Sequence, residues 1–417
     1  MASKVSYFKG FQNAAYLSVG TFLSQIIGFV GLLFIARLLG PNDYGIYATV
    51  FAFVSFFHLF VLNGLSKIVV REGSKQLDSF SHVLDKTIGL RLVLVGAALL
   101  FCIFASFFTN YSAQIKVLII LFSAEIIYFG LDSFLGAIYQ TKQKMEYLSY
   151  FSVLTRFLVT SLSIAFLYMG AGVAVILVVN LVSKLIVLCV NYSVSKKFVK
   201  FHWSLRWRLE PVILKAVIVF SLMGFINTFA VRIDVLMISF LSNSTDVGLY
   251  SVAHELGREG LILRNIIAVA FFPIAVKYFV KQKVKTKKIM AYSLGFFILA
   301  FIGSMVVFFF AEKIILLLFK EKYMASGMIL KYLVFYLPFT FFSLPFSTCL
   351  QATHNENVLL MIYSITAVVN IPLNVIFFYR FGLIGIAYST IIVFFVEAVL
   401  ISILSLIRLR RQGYLVK

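Results

Sequence analysis

Ionisable side chains stand where the surrounding sequence is almost wholly apolar. Arg232 and Asp234 interrupt the run NTFAVRIDVLMISFL, and His254, Glu255, Arg258, Glu259 and Arg264 follow in the next apolar stretch. Glu125, Asp132, Arg156 and Lys184 are isolated in the same way in the first half, and Glu397 near the end. Such a group at the centre of a bilayer costs at least about 2.5–3.5 kcal/mol, so it must face a hydrated cavity or a partner. A guanidinium donates to two oxygens of one phosphate at once, which suits arginine to an anionic, phosphate-bearing ligand. Arg156, Lys184, Arg232, Arg258 and Arg264 are therefore the candidate substrate-binding residues. The competing reading is ionic pairing, of Glu255 with Arg258 at i,i+3 and of Arg156 or Lys184 with Glu125 or Asp132.

A second group could bind or carry a cation. Asp234, Glu255 and the titrating imidazole of His254 are candidates for cation or proton coupling. Asn370 and Asn374 flank Pro372, which lacks a backbone donor and frees a carbonyl. Broken membrane helices of this kind coordinate cations, although asparagine also serves as an interhelical hydrogen-bonding residue. The coupling ion would be H⁺ or Na⁺; no other cofactor is expected, and no metal is assigned. Cys102, Cys189 and Cys349 are far apart in apolar surroundings, which argues against a zinc site or a disulfide framework. There is no GxxxxGK[ST], HExxH or GxSxG sequence, so an enzyme is not expected.

The elements that position these residues follow from composition. Of 417 residues, 62% are hydrophobic and 13% charged, and the mean hydropathy is +1.01. Ordinary soluble domains are roughly 45–50% apolar and about 25% charged. A soluble enzyme, a disordered chain and a nucleic-acid-binding domain are thereby excluded. Apolar runs of about 20 residues favour helices over barrel strands. Twelve spans are expected, near 11–36, 44–63, 87–108, 115–139, 148–169, 173–195, 212–241, 247–276, 289–311, 326–351, 357–379 and 384–407. The first is too long for the apolar core of a cleavable signal.

The net charge of +21 is mostly a topology signal. Lys and Arg crowd the N-terminus, the 64–86, 140–147 and 277–288 loops, the middle loop and the tail. The other side carries only Arg37, Lys116, Lys313, Lys320, Lys322 and Arg380. Such asymmetry places both termini in the cytoplasm. The middle loop, KKFVKFHWSLRWRLEP, interleaves basic and aromatic residues. It reads as an interfacial amphipathic helix or as a basic linker between halves. At 1.5 Å per residue, Arg232 lies roughly 13 Å from the outer end of its helix. Arg258 and Arg264 lie roughly 17 and 25 Å from the outer end of the next. With Arg156 and Lys184 near mid-depth they would form a staircase of positive charge, whereas a permanent anion pore would place a ring at one depth.

An internal repeat supports a two-lobed plan. Asp43, Gly45 and Tyr47 align with Asp246, Gly248 and Tyr250 at one offset, and Gly172-Val173-Ala174 aligns with Gly385-Ile386-Ala387 at a slightly longer one. Six helices return the chain to its starting side, so the halves are parallel repeats with a substrate site between them. The expected architecture is an all-α polytopic membrane protein, about 12 transmembrane helices in two parallel six-helix lobes, both termini inside. The lobes would span 1–195 and 212–417, joined by a basic cytoplasmic interfacial linker at 196–211.

The run ARLLGPNDYGIYA, Ala36 to Ala48, resembles the outer turn of polysaccharide-type flippases. These are the O-antigen translocases of the multidrug/oligosaccharidyl-lipid/polysaccharide exporter (MOP) superfamily. Arg232 through Tyr250, and NIPLNVIFFYRFGLIGIA from Asn370 to Ala387, are similar to corresponding stretches there. The resemblance implies lobes that open alternately to cytoplasm and periplasm, and a cationic cavity lined by spans 1, 2, 7 and 8. Spans 1 and 2 carry no mid-membrane arginine here. The implied cargo is an undecaprenyl-diphosphate-linked oligosaccharide, an O-antigen or similar surface-polysaccharide unit. Related precursor flippases hold sodium with a seventh-span Asp, eleventh-span polar residues and a twelfth-span Thr, which would match Asp234, Asn370, Asn374 and Thr390. The implied partners are that lipid, the membrane lipids, and the polysaccharide polymerase and chain-length machinery, in a bacterial inner membrane. The alternatives are a cation-coupled drug or metabolite exporter of the same fold and an integral glycan polymerase or ligase. The short outer loops disfavour the last.

Overall fold

The structure is a computed structural model describing residues 2–75, 80–205, 211–276, 284–353 and 355–416. Trp207, Arg206 and Arg208 of the middle loop, and Lys277, Lys281 and Lys283 of the later basic loop, lie outside the described residues. The described chain is helical, apart from a short parallel pairing of Val284–Lys285 (β1) with Leu415–Val416 (β2). Its contacts group into two units, 1–228 and 229–417.

The first unit contains α1 (Ala2–Phe56), α2 (Gly64–Lys75), α3 (Phe80–Phe107), α4 (Ala113–Phe122), α5 (Glu125–Thr141), α6 (Met145–Tyr168), α7 (Val173–Ser195) and the first part of α8 (Pro211–Leu241). The two expected opening spans are limbs of one element, α1, broken where Gly40 takes φ 78°. Pro41 disfavours helical geometry in the residue before it, and glycine alone turns the backbone left-handed without strain. The expected 64–86 loop is largely helix. α2 buries Leu65, Ile68 and Val69 and exposes Lys67, Arg71 and Lys75 at four-residue spacing, as an amphipathic period demands. Beside it the Arg71 guanidinium, bonded to Glu72 at 2.8 Å, holds that carboxyl below its usual range. The start of α8 belongs to this unit because Val217 packs with Leu65, Ile68 and Leu90, and Ser221 Oγ accepts from the Gly64 N–H.

The middle segment corrects the amphipathic-helix expectation over its described part. Residues 196–205 are turn and extended chain. Phe198 and Phe201 pack on the α5–α7 core, Trp203 Nε1 donates to Tyr192 Oη at 2.6 Å, and Asp85 accepts from the His202 N–H. Aromatic packing on α5 and α7 fixes the course of this segment, whose first residues still make local turn hydrogen bonds.

The second unit holds the rest of α8, α9 (Ser244–Ala275), α10 (Thr286–Phe319), α11 (Met324–Leu333), α12 (Tyr336–Ala352) and α13 (Glu356–Arg411). α13 contains the last two expected spans, separated at Gly382 with φ 61°. The helix runs through Pro372 without leaving helical geometry, so the break expected there lies ten residues later. Eight described helical segments are long and apolar enough to cross a membrane. Counting both limbs of α1 and of α13, and adding α8 and the more polar α9, the path makes about twelve crossings. Rows of exposed Phe and Leu, such as Leu100, Phe104, Phe309 and Leu317, provide a lipid-facing surface. Buried hydroxyls are satisfied by carbonyls one turn back, as Thr155 is by Phe151 and Ser402 by Ala398.

Candidate functional site

In the second unit four helical limbs converge on one carboxylate. Asp234 of α8 is 3% exposed. Its Oδ1 accepts from Asn374 Nδ2 at 2.7 Å and Asn370 Nδ2 at 3.3 Å, and its Oδ2 from Tyr250 Oη at 2.9 Å and Thr390 Oγ1 at 3.1 Å. Ser389 Oγ donates to Asn374 Oδ1. The i,i+4 spacing of the asparagines puts both on one face of α13, and the Gly382 break lets Ser389 and Thr390 return beside them. Asn370 Oδ1 is buried without a hydrogen-bond partner among the described residues. An orphaned carbonyl oxygen beside a carboxylate and a hydroxyl is a set of hard oxygen donors, which fits Na⁺ or a proton and does not fit a soft metal. Among the described residues no group of three or more His, Cys, Asp or Glu could hold a metal.

One turn along α9 lies a charged group. Glu255 accepts from Arg232 Nη1 at 3.1 Å and from Arg258 Nη2 at 2.7 Å. Two guanidinium groups thus share one carboxylate, with Glu259 as the second acid beside Arg258, and the arginine side chains are still 32% and 37% exposed. The ionic pairing considered for Glu255 and Arg258 is therefore present, and α8 adds a second arginine to it. His254 stacks on Tyr250, which links it to the Asp234 cluster, and its Nδ1 is buried without a partner among the described residues. Arg264 stands apart on another face of α9. Its Nε donates to the Thr340 carbonyl at 2.9 Å, and it lines a cavity of about 200 Å³.

The first unit treats its two candidate cations differently. Lys184 of α7 donates to Glu125 Oε1 at 3.0 Å, and the rings of Phe51, Phe122 and Tyr128 enclose its ammonium. Glu125 Oε2 is 2.7 Å from His58 Nε2, whose ring stacks on Phe129. Lys184 is thereby engaged by a buried carboxylate. Arg156 of α6 is exposed beside Gly28 of α1, with no carboxylate within 4 Å among the described residues. Asp132, the other acid of α5, accepts from Asn191 instead.

Reading the residues in order overlooked His58, Tyr250, Ser389 and Arg91. His58 and Arg91 carried a usable signal, an ionisable group inside or at the edge of an apolar run. Arg91 is fully buried, donating to the Val61 carbonyl, Asn63 Oδ1 and Ser66 Oγ. Tyr250 stood in the repeat motif, yet nothing local tied it to Asp234.

Comparisons with known proteins extend the picture. The family model described as "Polysaccharide biosynthesis protein" matches residues 11–279, and the MatE model matches 218–376. Among solved structures, a lipid II flippase MurJ in an inward closed conformation aligns with a TM-score of 0.75 at 19% identity, covering 94% of this chain and 91% of that one. An inward-facing multidrug-resistance MATE transporter of the MOP superfamily aligns at 0.72 and 17%, covering 96% and 98%. A MOP-superfamily transporter from Pyrococcus furiosus, described as having a binding pocket of reversed polarity, aligns at 0.65 and 16%, covering 95% and 94%. At these identities the likeness is one of fold. No curated protein matches the sequence.

Proposed function

The chain belongs to the polysaccharide biosynthesis protein family, and with the fold of MOP-superfamily transporters as a second premise we propose that it is a lipid-linked oligosaccharide flippase. Its cargo is an undecaprenyl-diphosphate-linked oligosaccharide, an O-antigen or similar surface-polysaccharide unit. It moves from the cytoplasmic to the periplasmic leaflet of a bacterial inner membrane by alternating access. The observation that carries this reading is the exposed mid-membrane guanidinium. Arg156 has no carboxylate within 4 Å among the described residues, and Arg232 and Arg258, although bonded to Glu255, keep about a third of their side-chain surface exposed. A guanidinium in that position needs water or an anion, and diphosphate supplies four or more acceptor oxygens. No bond is made or broken. The arginines hold the diphosphate and hydroxyls face the glycan, while the prenyl tail stays in lipid.

An inside-negative potential favours outward passage of a dianion by about 4.6 kcal/mol per 100 mV for full crossing. A counter-moving cation adds to that drive, and the Asp234 group is its proposed holder: Asp234 supplies charge, Asn370 and Asn374 carboxamide oxygens, Thr390 a hydroxyl. His254 and Glu255 sit where proton occupancy of that group would be felt by the arginines. The delivered unit would then meet a polymerase and chain-length machinery on the outer leaflet. A second reading, a cation-coupled exporter of cationic drugs, is favoured by the MatE match over 218–376. It predicts cavity acids in excess, whereas Arg156 stands exposed with no carboxylate within 4 Å among the described residues. A glycan polymerase or ligase is disfavoured by the segment between α10 and α11, which is only Lys320 and the turn Glu321–Tyr323.

The test is translocation of a fluorescent undecaprenyl-diphosphate oligosaccharide in proteoliposomes. Arg156→Ala and Arg258→Ala are each expected to slow it at least tenfold. Unaltered rates in both, or export of cationic dyes in place of the glycolipid, would defeat the reading.

A further inference from the structure

The Arg264 cavity lies within the second unit, between α9, α12 and α13. Arg264, Ser347, Thr348, Gln351 and Tyr363 bring polar groups to it, and Ala268 and Phe272 complete it. Among the described residues the guanidinium is held by one atom only: Nε is bonded to the Thr340 carbonyl, so Nη1 and Nη2 remain for a ligand. No carboxylate comes within 4 Å of them among the described residues, although Glu397 is close enough to Arg264 to attract it electrostatically. Ser347 and Thr348 donate their protons to the Leu344 carbonyl, which leaves their lone pairs as acceptors. Gln351 and Tyr363 make no side-chain hydrogen bond among the described residues, so an amide and a phenol are available as donors and acceptors.

Size and chemistry narrow the occupant. A volume of about 200 Å³ is below the roughly 300–1,000 Å³ of drug-sized sites and holds roughly seven waters at ~30 Å³ each. That is room for a phosphate with one sugar ring. A single cation partly offset by Glu397, beside four neutral hydrogen-bonding side chains, is the wrong set for inorganic polyphosphate. It matches one phosphate oxygen pair next to a ring of hydroxyls, with Phe272 and the Tyr363 ring offering flat apolar faces to the C–H side of a pyranose. We propose that this cavity is a sugar-phosphate subsite. Arg264 takes the phosphate, and Gln351, Tyr363, Ser347 and Thr348 read the hydroxyls of the sugar attached to it.

As the subsite for the reducing-end sugar of the cargo, it rests on the flippase reading and makes Gln351 and Tyr363 specificity residues. The same chemistry is present in soluble hexose 1-phosphate and in the glycerophosphate head of phosphatidylglycerol, so the test separates these sources. The full chain is placed in phosphatidylcholine nanodiscs and titrated with glucose 1-phosphate and with inorganic phosphate by calorimetry. Saturable binding of glucose 1-phosphate is expected, weakened at least tenfold by Arg264→Gln. The double substitution Gln351→Leu with Tyr363→Phe should weaken glucose 1-phosphate at least fivefold and leave phosphate within twofold. No binding to the wild type, or equal binding to all three well-folded proteins, overturns the subsite. Loss of binding when phosphatidylglycerol is added to the discs assigns the site to a lipid headgroup and overturns the cargo assignment. Translocation of the fluorescent glycolipid is measured on the same preparations. Binding without translocation refutes the flippase reading and leaves the subsite. Translocation with unaltered sugar preference in the double variant refutes the subsite and leaves the flippase reading.

Discussion

At the residue scale, the informative contrast is between carboxylates that are saturated and cations that are not. Asp234 accepts four neutral donors, so its charge is held by dipoles, and a cation that binds it must displace at least one of them. Asp234→Asn should therefore leave a folded protein whose translocation no longer responds to Na⁺ or pH, measured in proteoliposomes with each gradient imposed separately. An unchanged ion response would remove Asp234 from coupling. The Glu125–Lys184 pair is a different case, since both side chains are nearly dry. Removing one member of such a pair strands the other. Glu125→Gln should lower stability by about 3 kcal/mol, and Glu125→Gln with Lys184→Met should recover much of that loss in a double-mutant thermal-melting cycle. Arg91 has no carboxylate within 4 Å among the described residues and donates from Nη1 and Nη2 to three oxygens at the start of α2, its Nε being left without a partner there. Arg91→Ala should cost about 2–4 kcal/mol by leaving buried acceptors unmet, with proteolysis near Asn63 accelerating as the segment loosens.

At the element scale, glycines, not the proline, decide where α13 turns. Gly382 takes φ 61° and ψ −144°, a region that costs a non-glycine residue about 1–3 kcal/mol. A Cβ on Gly385 would meet the Phe377 carbonyl at 2.0 Å, so the two limbs approach too closely there for any side chain. Gly385→Ala should abolish a monodisperse peak in fluorescence-detected size-exclusion chromatography. Gly295→Ala in α10, where a Cβ would meet nothing within 4 Å, should leave that peak intact. The same turn brings Ser389 and Thr390 to Asn374 and Asp234, so strain at Gly382 should also register as lost ion dependence before the fold itself fails.

At the scale of the whole molecule, charge and potential set direction. If a dianionic head crosses outward, collapsing an inside-negative potential with valinomycin and potassium removes up to about 4.6 kcal/mol per 100 mV of drive. The initial rate of glycolipid translocation should fall accordingly, and reversing the potential should oppose it; indifference to potential would mean the moving complex is neutral. The lysine and arginine asymmetry makes a companion prediction. Single cysteines at Lys9 and at Lys417 should react with a membrane-impermeant maleimide from the same side, in inside-out vesicles and not in right-side-out ones.

Hydropathy and charge asymmetry determined the helical class, about twelve crossings and the list of costly intramembrane charges, because a bilayer tests each residue locally against hydrocarbon. The resemblance pointed to Asp234, Asn370, Asn374 and Thr390 together, yet Tyr250 and Ser389 emerged only when α8, α9 and both limbs of α13 were folded around them. Pairing was equally illegible: whether an arginine or lysine meets a carboxylate or open space depends on residues tens of positions away. Lys184 and His58 on Glu125, Arg232 joining Arg258 on Glu255, and Arg264 on the Thr340 carbonyl are all decided by interhelical distance, on which periodicity along one chain is silent. The breaks at Gly40 and Gly382, and the passage of α13 through Pro372, were likewise settled by packing, because a proline removes one hydrogen bond without obliging the helix to end.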